Sequence, residues 1–210
     1  MTSGGRELLK WLALVAMTCD HVAQVIAGGY VPVLSEIGRI AFPIFAIVMA
    51  FNLAQPGADA LKSVRRLVGW GVVAQVPHAL AFGNALPLNV LLSFAVAAAG
   101  VYAIQRRQWP LLMLLAGPVA LFVDYAQAGL FLILAGWWFF TRPGNARLAL
   151  LLAAMAGLCL WNGNLWALLA LPALSIAGTE RAVPRTRWAF YGYYVGHLSL
   201  LAAAAAFLLP

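Results

Sequence analysis

The sequence predicts an all-α integral membrane protein, a polytopic helical bundle of about nine transmembrane helices with its N-terminus in the cytoplasm. Of its 210 residues, 64% are hydrophobic and only 9% are charged, and the mean hydropathy is +0.91. A soluble domain is usually about half apolar and about a quarter charged. Because lipid removes the need for a charged surface, this composition predicts one multi-pass membrane domain over residues 1–210.

Nine apolar runs mark the predicted helices, and several are shorter than the roughly 20 residues needed to cross the hydrocarbon layer. The runs cover residues 8–28, 33–55, 64–82, 86–104, 109–126, 128–141, 147–161, 164–178 and 188–209. The boundary between the fifth and sixth helices rests on residues 126–128 alone.

The basic residues give an independent test of the helix count. All except Arg39 fall on alternate loops, as the positive-inside rule predicts for cytoplasmic loops. The groups are Arg6 with Lys10, Lys62 with Arg65 and Arg66, Arg106 with Arg107, Arg142 with Arg147, and Arg181 with Arg185 and Arg187. The net charge of +7 is therefore interpreted as a topology signal. No nucleic-acid partner is predicted.

Cysteine and histidine spacing indicates no metal. Cys19 and Cys159 each lie within an apolar run, and the sequence contains no CxxC pair, so neither a disulfide framework nor a zinc site is indicated. The three histidines fall on three different predicted helices, and their spacing does not favour a shared metal ion.

Seven ionisable groups lie within the predicted helices, where each costs at least about 2.5–3.5 kcal/mol and is a functional-site hypothesis by default. They are Asp20, His21, Glu36, Arg39, His78, Asp124 and His197. Counted along the predicted topology, six of them, all except Asp20, map to the middle or outer half of the membrane. The sequence therefore predicts a polar site in that layer, built from helices that are distant along the chain.

Structural alternatives exist for several of these groups. Glu36 and Arg39 are spaced i,i+3 and could simply pair with each other. His78 follows Pro77 and could face the outer interface, and Asp124 could cap a helix end. His197 could be a hydrogen-bonded interior histidine.

Lys10 and His21 are eleven residues apart in the first predicted helix, so both project from nearly the same face, about 16 Å apart along the axis. This spacing places a cation at the cytoplasmic surface and an imidazole deep on the same wall. A long ligand with phosphates at one end and a reactive group at the other would fit, and acyl-coenzyme A has that form.

The segments LKWLALVAMTCDHVAQV and IGRIAFPIFAIVMAFNLA closely resemble the opening of the TraX family of membrane acetyltransferases. Later segments, LNVLLSFAVA, VDYAQAGLFLILAG and AFYGYYVGHLSLL, are similar to later blocks of that family in the same order. The resemblance implies acetyl-CoA as donor, the N-terminal amine of a conjugative pilin subunit as acceptor, and the bacterial inner membrane as location. One departure is the end of the second helix, FNLAQ, which lacks the polar run of many members.

The resemblance also implies roles for individual residues. In the broader group of transmembrane acyltransferases, a basic residue precedes a histidine in the first helix, and Lys10 and His21 match that pattern. Lys10, with Arg65 and Arg66, is expected to bind the CoA phosphates. His21 is expected to be the general base, with a covalent acetyl-histidine as the alternative.

The other polar residues are expected to support that centre. Asp20 is predicted to pair with a residue on another helix, for which Arg39 is the natural candidate, or else Arg39 stabilises a developing oxyanion. Asn89 could add a neutral hydrogen bond. Glu36, His78, Asp124 and His197 are assigned to substrate binding or support without a defined role.

Two other classes compete with the enzyme. A proton-coupled transporter or channel could use the same Asp, His and Arg as a relay, although the sequence shows no repeated halves or interrupted helices of the kind that transporters often have. A non-catalytic pilus-assembly scaffold would leave its buried charges merely paired. The acceptor, the length of the donor's acyl group and the oligomeric state stay open at this point.

Overall fold

A computed structural model describes residues 1–186 and 188–208. The α-helices are α1 (Ser3–Val25), α2 (Leu34–Gly38), α3 (Ala41–Leu53), α4 (Ala60–Phe82), α5 (Val90–Gln105), α6 (Trp109–Ala116), α7 (Ala126–Thr141), α8 (Asn145–Asn162), α9 (Ala170–Ala173) and α10 (Ala189–Leu208). Short 3-10 segments cover Val119–Phe122, Trp166–Leu169 and Leu174–Gly178. The predicted all-α class is confirmed, since no strand occurs in the described ranges. Arg187 and the predicted helix end at residue 209 lie outside them.

Within the described ranges, four segments are long and apolar enough to cross a membrane: Ser3–Val25, Leu34–Leu53, Asn145–Asn162 and Ala189–Leu208. Shorter apolar helices cover Val90–Gln105, Trp109–Phe122, Ala126–Thr141 and Trp166–Gly178. These segments indicate a membrane protein. The count of about nine spans stays a prediction, as does the cytoplasmic N-terminus.

The second predicted helix, 33–55, is not continuous. It ends as α2 at Gly38 and resumes as α3 at Ala41, with Arg39 and Ile40 in a turn between them. Pro43 supplies the physical reason, because a proline has no N–H for the carbonyl four residues earlier and its ring clashes with that carbonyl. The expectation that no interrupted helix is present is therefore wrong.

Two other boundaries also differ from the prediction. The run 109–126 stops as an α-helix at Ala116, before Gly117 and Pro118, so the break begins about ten residues before the predicted one at 126–128. The run 164–178 consists of two 3-10 segments around the four-residue α9. Apolar composition predicted where these segments lie but not their hydrogen-bond pattern.

The chain divides into two compact units. The first consists of Met1–Val48, Val76–Asn84 and Trp166–Pro210, and the second of Met49–Gln75 and Ala85–Leu165. The prediction of a single domain over residues 1–210 stays a prediction. In α4, residues 60–75 belong to the second unit and residues 76–82 to the first.

In the first unit, the start of α1 packs against the segment that follows α9. Thr2 caps α1 by accepting a hydrogen bond from Gly5 N at 2.9 Å, and its own N–H donates to Ala177 O at 2.9 Å. A Cβ at Gly4 or Gly5 would overlap backbone atoms of residues 181 and 177. The buried core below this contact consists of Leu9, Ala13, Ile44, Val48 and Ala170. Gly4 and Gly5 thus let the start of α1 pack closely against the backbone of residues 177 and 181.

In the second unit, the segment before α5 is tied to the segment before α7. Leu88 N donates to Phe122 O at 2.7 Å, and Asp124 N donates to Leu88 O at 2.9 Å. Ser93 Oγ also donates to Asp124 O at 2.7 Å. These bonds fix the starts of α5 and α7 beside each other.

Candidate functional site

Two histidines from opposite ends of the chain meet in the first unit. His21 lies near the C-terminal end of α1, and His197 lies on α10. His21 Nδ1 and His197 Nε2 are 2.7 Å apart, and the two rings are nearly parallel, with an interplanar angle of 11°. His197 is buried, whereas His21 is partly exposed. A direct imidazole–imidazole hydrogen bond is therefore the centre of the candidate site.

The hydrogen-bond partners define which nitrogens carry protons. His197 Nδ1 is 3.0 Å from Tyr193 O, and a carbonyl oxygen can only accept, so Nδ1 of His197 carries the proton. In neutral His197, Nε2 is then an acceptor, and His21 Nδ1 must be the donor. His21 Nε2 has no hydrogen-bond partner among the described residues. The chain of bonds thus leaves one basic nitrogen with an open lone pair.

Aromatic side chains surround the histidine pair. Phe82 meets the His21 ring edge-on, with centroids 5.3 Å apart, and the Tyr194 ring lies 5.5 Å from the His197 ring. Tyr193 stacks on His197 at 5.1 Å. Its hydroxyl is 2.8 Å from Thr18 Oγ1. Thr18 donates its own proton to a backbone carbonyl of α1, so the Tyr193 hydroxyl donates to Thr18.

Asp20 is buried where α1 and α2 pack together. A Cβ at Gly38 would overlap the Cβ and Oδ1 atoms of Asp20, so only glycine permits this approach. Gln24 donates to Asp20 Oδ2, and Oδ1 has no hydrogen-bond partner within the described ranges. Arg39 acts on the Asp20 carboxylate electrostatically without a direct ion pair. The expected Asp20–Arg39 partnership is thus present only as a longer-range attraction.

Glu36 pairs with a tyrosine and not with Arg39. Its Oε1 accepts a hydrogen bond of 2.7 Å from Tyr30 Oη. This bond stabilises the protonated phenol and raises the pKa of Tyr30 above its usual range. The alternative of an i,i+3 pair between Glu36 and Arg39 is wrong.

His78 lies in the part of α4 that belongs to the first unit. Its ring centroid is 4.9 Å from that of Phe82, and it is close enough to act on His21 electrostatically. Its Nδ1 atom is buried without a hydrogen-bond partner among the described residues. Among all the described residues, no three or more His, Cys, Asp or Glu side chains are grouped so that they could hold a metal ion.

Lys10 is already paired within the first unit. Its Nζ is 2.6 Å from Glu7 Oε1 and 4.6 Å from the centre of the Phe190 ring. Glu7 is buried and also accepts a hydrogen bond of 3.2 Å from Thr186 Oγ1. α1 is continuous from Ser3 to Val25, so Lys10 and His21 do lie on one helix, as predicted.

The remaining predicted residues belong to the second unit, where their known contacts are structural. Asn89 has no exposed surface; it caps α5 by accepting from Leu91 N and donates to Gly71 O at 2.8 Å and Gln75 Oε1 at 2.7 Å. Asp124 Oδ1 accepts from Tyr125 N. Arg65 and Arg66 lie in the first turns of α4. These four residues belong to the second unit, whereas the histidine cluster belongs to the first.

Sequence reasoning did not single out the groups that organise the histidine pair. Tyr193 and His197 are four residues apart on α10 and so share a helix face, which is a signal that the sequence carried. Glu7 and Lys10 have the i,i+3 spacing of a helical ion pair. Phe82 and Thr18 left no pattern that would have identified them.

Comparison with known proteins gives the family. The model of the TraX family, described as TraX protein, matches residues 5–204. The chain belongs to the TraX family. It is similar to Protein TraX of Escherichia coli, with 32% identity over 186 residues that cover 85% of this chain and 69% of that protein.

Two other relatives match less closely. Protein TraX of Escherichia coli (strain K12) is 29% identical over 185 residues, with the same 85% and 69% coverage. An uncharacterised protein of Rickettsia prowazekii (strain Madrid E) is 30% identical over 97 residues, 46% of this chain and 36% of that protein. No solved structure matches the chain significantly. The TraX match includes both His21 and His197, so the histidine pair lies in the part that this chain shares with the family.

Proposed function

We propose that the chain is a bacterial inner-membrane acetyltransferase that moves an acetyl group from cytoplasmic acetyl-CoA to an amine in the outer half of the membrane. One observation carries the proposal. The chain of bonds from Tyr193 O through His197 to His21 leaves Nε2 of His21 as a base without a hydrogen-bond partner in the described part of the chain. A general base of this kind contributes about 10²–10⁴-fold to a proton-transfer step.

In the proposed reaction, the neutral amine attacks the thioester carbonyl carbon. His21 Nε2 removes a proton from the attacking nitrogen, the new C–N bond forms and the C–S bond breaks. The proton on His21 is then transferred to the departing CoA thiolate. His197 accepts the hydrogen bond from His21 Nδ1 throughout and holds the ring in this tautomer. A direct transfer needs no acetyl-histidine intermediate, which is the less economical alternative.

The position of His21 along α1 supports a site at the middle of the membrane or beyond it toward the outer side. His21 lies eleven residues after Lys10 on the continuous helix α1, which corresponds to about 16 Å of rise. With Lys10 at the cytoplasmic surface, this length carries the imidazole about halfway through a hydrocarbon layer of about 30 Å. Lys10 lies on the same helix toward the cytoplasmic side.

For the donor, Lys10 is proposed to bind the CoA phosphates, whereas a role of Arg65 and Arg66 of the second unit stays a prediction. Lys10 can do so only by leaving Glu7, to which it is bonded at 2.6 Å. For the developing oxyanion, Arg39 is the proposed stabiliser, because its guanidinium is not tied to Glu36 or directly to Asp20 and lies in the turn that interrupts the second apolar run.

For the acceptor, membership of the TraX family supports the N-terminus of a conjugative pilin subunit. A pilin amine released by signal-peptide removal would be presented on the outer side. A glycan or another amine is the alternative acceptor.

The test combines binding and transfer with the purified full chain. Acetyl-CoA is expected to raise the melting temperature, because a ligand that binds only the native state stabilises it. A synthetic peptide with the pilin N-terminus should gain one acetyl group by mass spectrometry. The matched control is the same peptide with a blocked N-terminus, which should gain none.

Failure of both measurements would overturn the proposal. A proton-coupled transporter is the second candidate, and the turn at Arg39–Ile40 favours it, since interrupted helices often form transporter sites. It predicts flux across proteoliposome membranes without acetyl-CoA. If the chain gives flux and no acetyl transfer, it is a transporter and not an acetyltransferase.

A further inference from the structure

The second unit contains an apolar cavity that the proposed acetyl transfer does not use. Its volume is about 560 Å³, within the range of roughly 300–1,000 Å³ that is typical of ligand sites. Residues of α5, α6, α7 and α8 line it, and three of them are tryptophans: Trp109, Trp137 and Trp138. The lining is suited to hydrocarbon.

Small residues on α7 and α8 leave this space open. Ala128 on α7 and Ala153, Ala154 and Gly157 on α8 all line the cavity. A Cβ built at Gly157 would meet no heavy atom within 4 Å. A larger side chain at Gly157 would therefore extend into open space.

Four arginines lie at one end of the cavity. The Arg147 guanidinium covers the ring of Trp138 at 4.7 Å and donates to Trp138 O at 3.1 Å and to Arg142 O at 3.0 Å. Arg106 and Arg107 occupy the turn between Ile104 and Trp109, two residues that line the cavity. The cavity thus has an apolar interior and a cationic edge.

Acidic residues do not balance the charge of the second unit. Its residues 49–75 and 85–165 include two acidic side chains, Asp59 and Asp124, against seven basic ones. Asp59 accepts a hydrogen bond from Lys62 N at the start of α4. Asp124 precedes α7, whereas Arg142 follows it, and a 16-residue helix separates the two by about 24 Å. The charge at the cavity edge is therefore complementary to an anion.

We propose that this cavity binds one anionic diacyl phospholipid. An acyl chain fills the apolar space, and the phosphate lies among Arg106, Arg107, Arg142 and Arg147. By the positive-inside rule these arginines are cytoplasmic, so the lipid comes from the cytoplasmic leaflet. The buried indole N–H of Trp137, which has no hydrogen-bond partner among the described residues, would gain an acceptor in a glycerol ester carbonyl.

The test uses the full chain, purified in a neutral detergent and depleted of lipid. Phosphatidylglycerol is titrated while the melting temperature is followed, and native mass spectrometry counts the lipids that stay bound. Phosphatidylcholine with the same acyl chains is the neutral control, and glycerol phosphate is the soluble-phosphate control. We expect phosphatidylglycerol to bind at one per chain and to raise the melting temperature, and both controls to have no effect.

Two variants test the two halves of the site. Arg142→Gln with Arg147→Gln should weaken phosphatidylglycerol binding by about tenfold or more, because each arginine contributes to the attraction for an anionic lipid. Gly157→Leu should weaken binding by filling the cavity, while the change from glycine favours the helix.

Each variant has a matched control elsewhere in the chain. Arg181→Gln with Arg185→Gln removes the same charge from another loop, and Gly69→Leu adds the same side chain at a helical glycine of α4 that also has open space around it. Both controls should bind phosphatidylglycerol like the parental chain. Equal retention of phosphatidylcholine, or parental affinity in both cavity variants, would overturn the proposal.

Discussion

The two units differ in the chemistry of their unpartnered polar groups. In the first unit, His78 Nδ1 and Asp20 Oδ1 are buried without a hydrogen-bond partner among the described residues. In the second unit, Asn89 has every side-chain function occupied, and the buried atoms of Trp137 and Asn162 without a partner in the described ranges are an indole and an amide nitrogen. An indole or amide N–H can only donate, whereas an imidazole or a carboxylate can also accept a proton. This difference favours the first unit as the place of proton-transfer chemistry.

The largest expected effect is that of His21→Ala. It removes the proposed base, so the rate of acetyl transfer should fall by about 10²–10⁴-fold. The melting temperature should change little, since His21 is partly exposed and contributes one side-chain hydrogen bond. The measurement is peptide acetylation by mass spectrometry at saturating acetyl-CoA. Acetylation at the parental rate would exclude His21 as the base.

The next effect is that of His197, which positions His21. His197→Ala removes the acceptor for His21 Nδ1 and should lower kcat by about tenfold or more, because an imidazole base depends on the group that fixes its tautomer. His197→Gln keeps an acceptor near the Nε2 position and should restore part of the rate. Equal rates in the two variants would contradict the positioning role. KM for acetyl-CoA should stay the same in both.

Asn89→Ala should affect stability and not chemistry. It removes the cap acceptor of Leu91 N and the side-chain donor to Gly71 O and Gln75 Oε1, while the bond from residue 89 N to Gln75 Oε1 stays. Each buried group that is left unsatisfied costs about 1–3 kcal/mol. Thermal unfolding of the purified protein measures the loss. Asn84→Ala, at an exposed asparagine, is the control and should unfold like the parental chain. A stable Asn89→Ala protein with lost activity would place Asn89 in the catalytic site instead.

Gly38→Ala should also destabilise the protein, because the added methyl group would overlap Asp20. Overpacking of this kind typically costs about 1–3 kcal/mol. Gly178→Ala has open space around the new Cβ and serves as the control. If both substitutions leave the melting temperature unchanged, the close approach of α1 and α2 is not required.

The smallest effect is expected at the Lys10–Glu7 pair. Glu7→Gln keeps an acceptor for Thr186 but removes the charge that competes for Lys10, so KM for acetyl-CoA should fall by a few fold, because Lys10 no longer has to leave a carboxylate. Lys10→Gln should raise KM instead. If KM for acetyl-CoA changes in the same direction in both variants, Lys10 does not bind the donor.

Much of the fold could be predicted from apolar runs and basic loops, because lipid demands long hydrophobic helices. The interruptions at Arg39–Ile40 and after Ala116 were missed. Both depend on prolines, Pro43 and Pro118, that lie inside hydrophobic runs, and a count of apolar residues does not register a missing N–H.

The candidate site was predicted in part. Depth along the predicted helices placed His21 and His197 in similar layers, but their direct bond joins residues that are 176 positions apart. A single amino-acid sequence contains no signal that two residues so far apart are hydrogen-bonded. Asp124 satisfied the same depth criterion and Asn89 was expected to add a hydrogen bond, yet both belong to the second unit. Their polar atoms serve helix ends, a role that depends on partners which only the fold supplies.

The break before α3 has a consequence for hydrogen bonding. Pro43 lacks the N–H that would otherwise bond to Arg39 O, and hydrocarbon offers no donor to replace it. In the membrane proposed for this chain, that oxygen would need a donor other than the N–H of residue 43, supplied by another backbone N–H, a water molecule or a bound ligand. An amine that reached the turn at Arg39–Ile40 could therefore donate to this carbonyl.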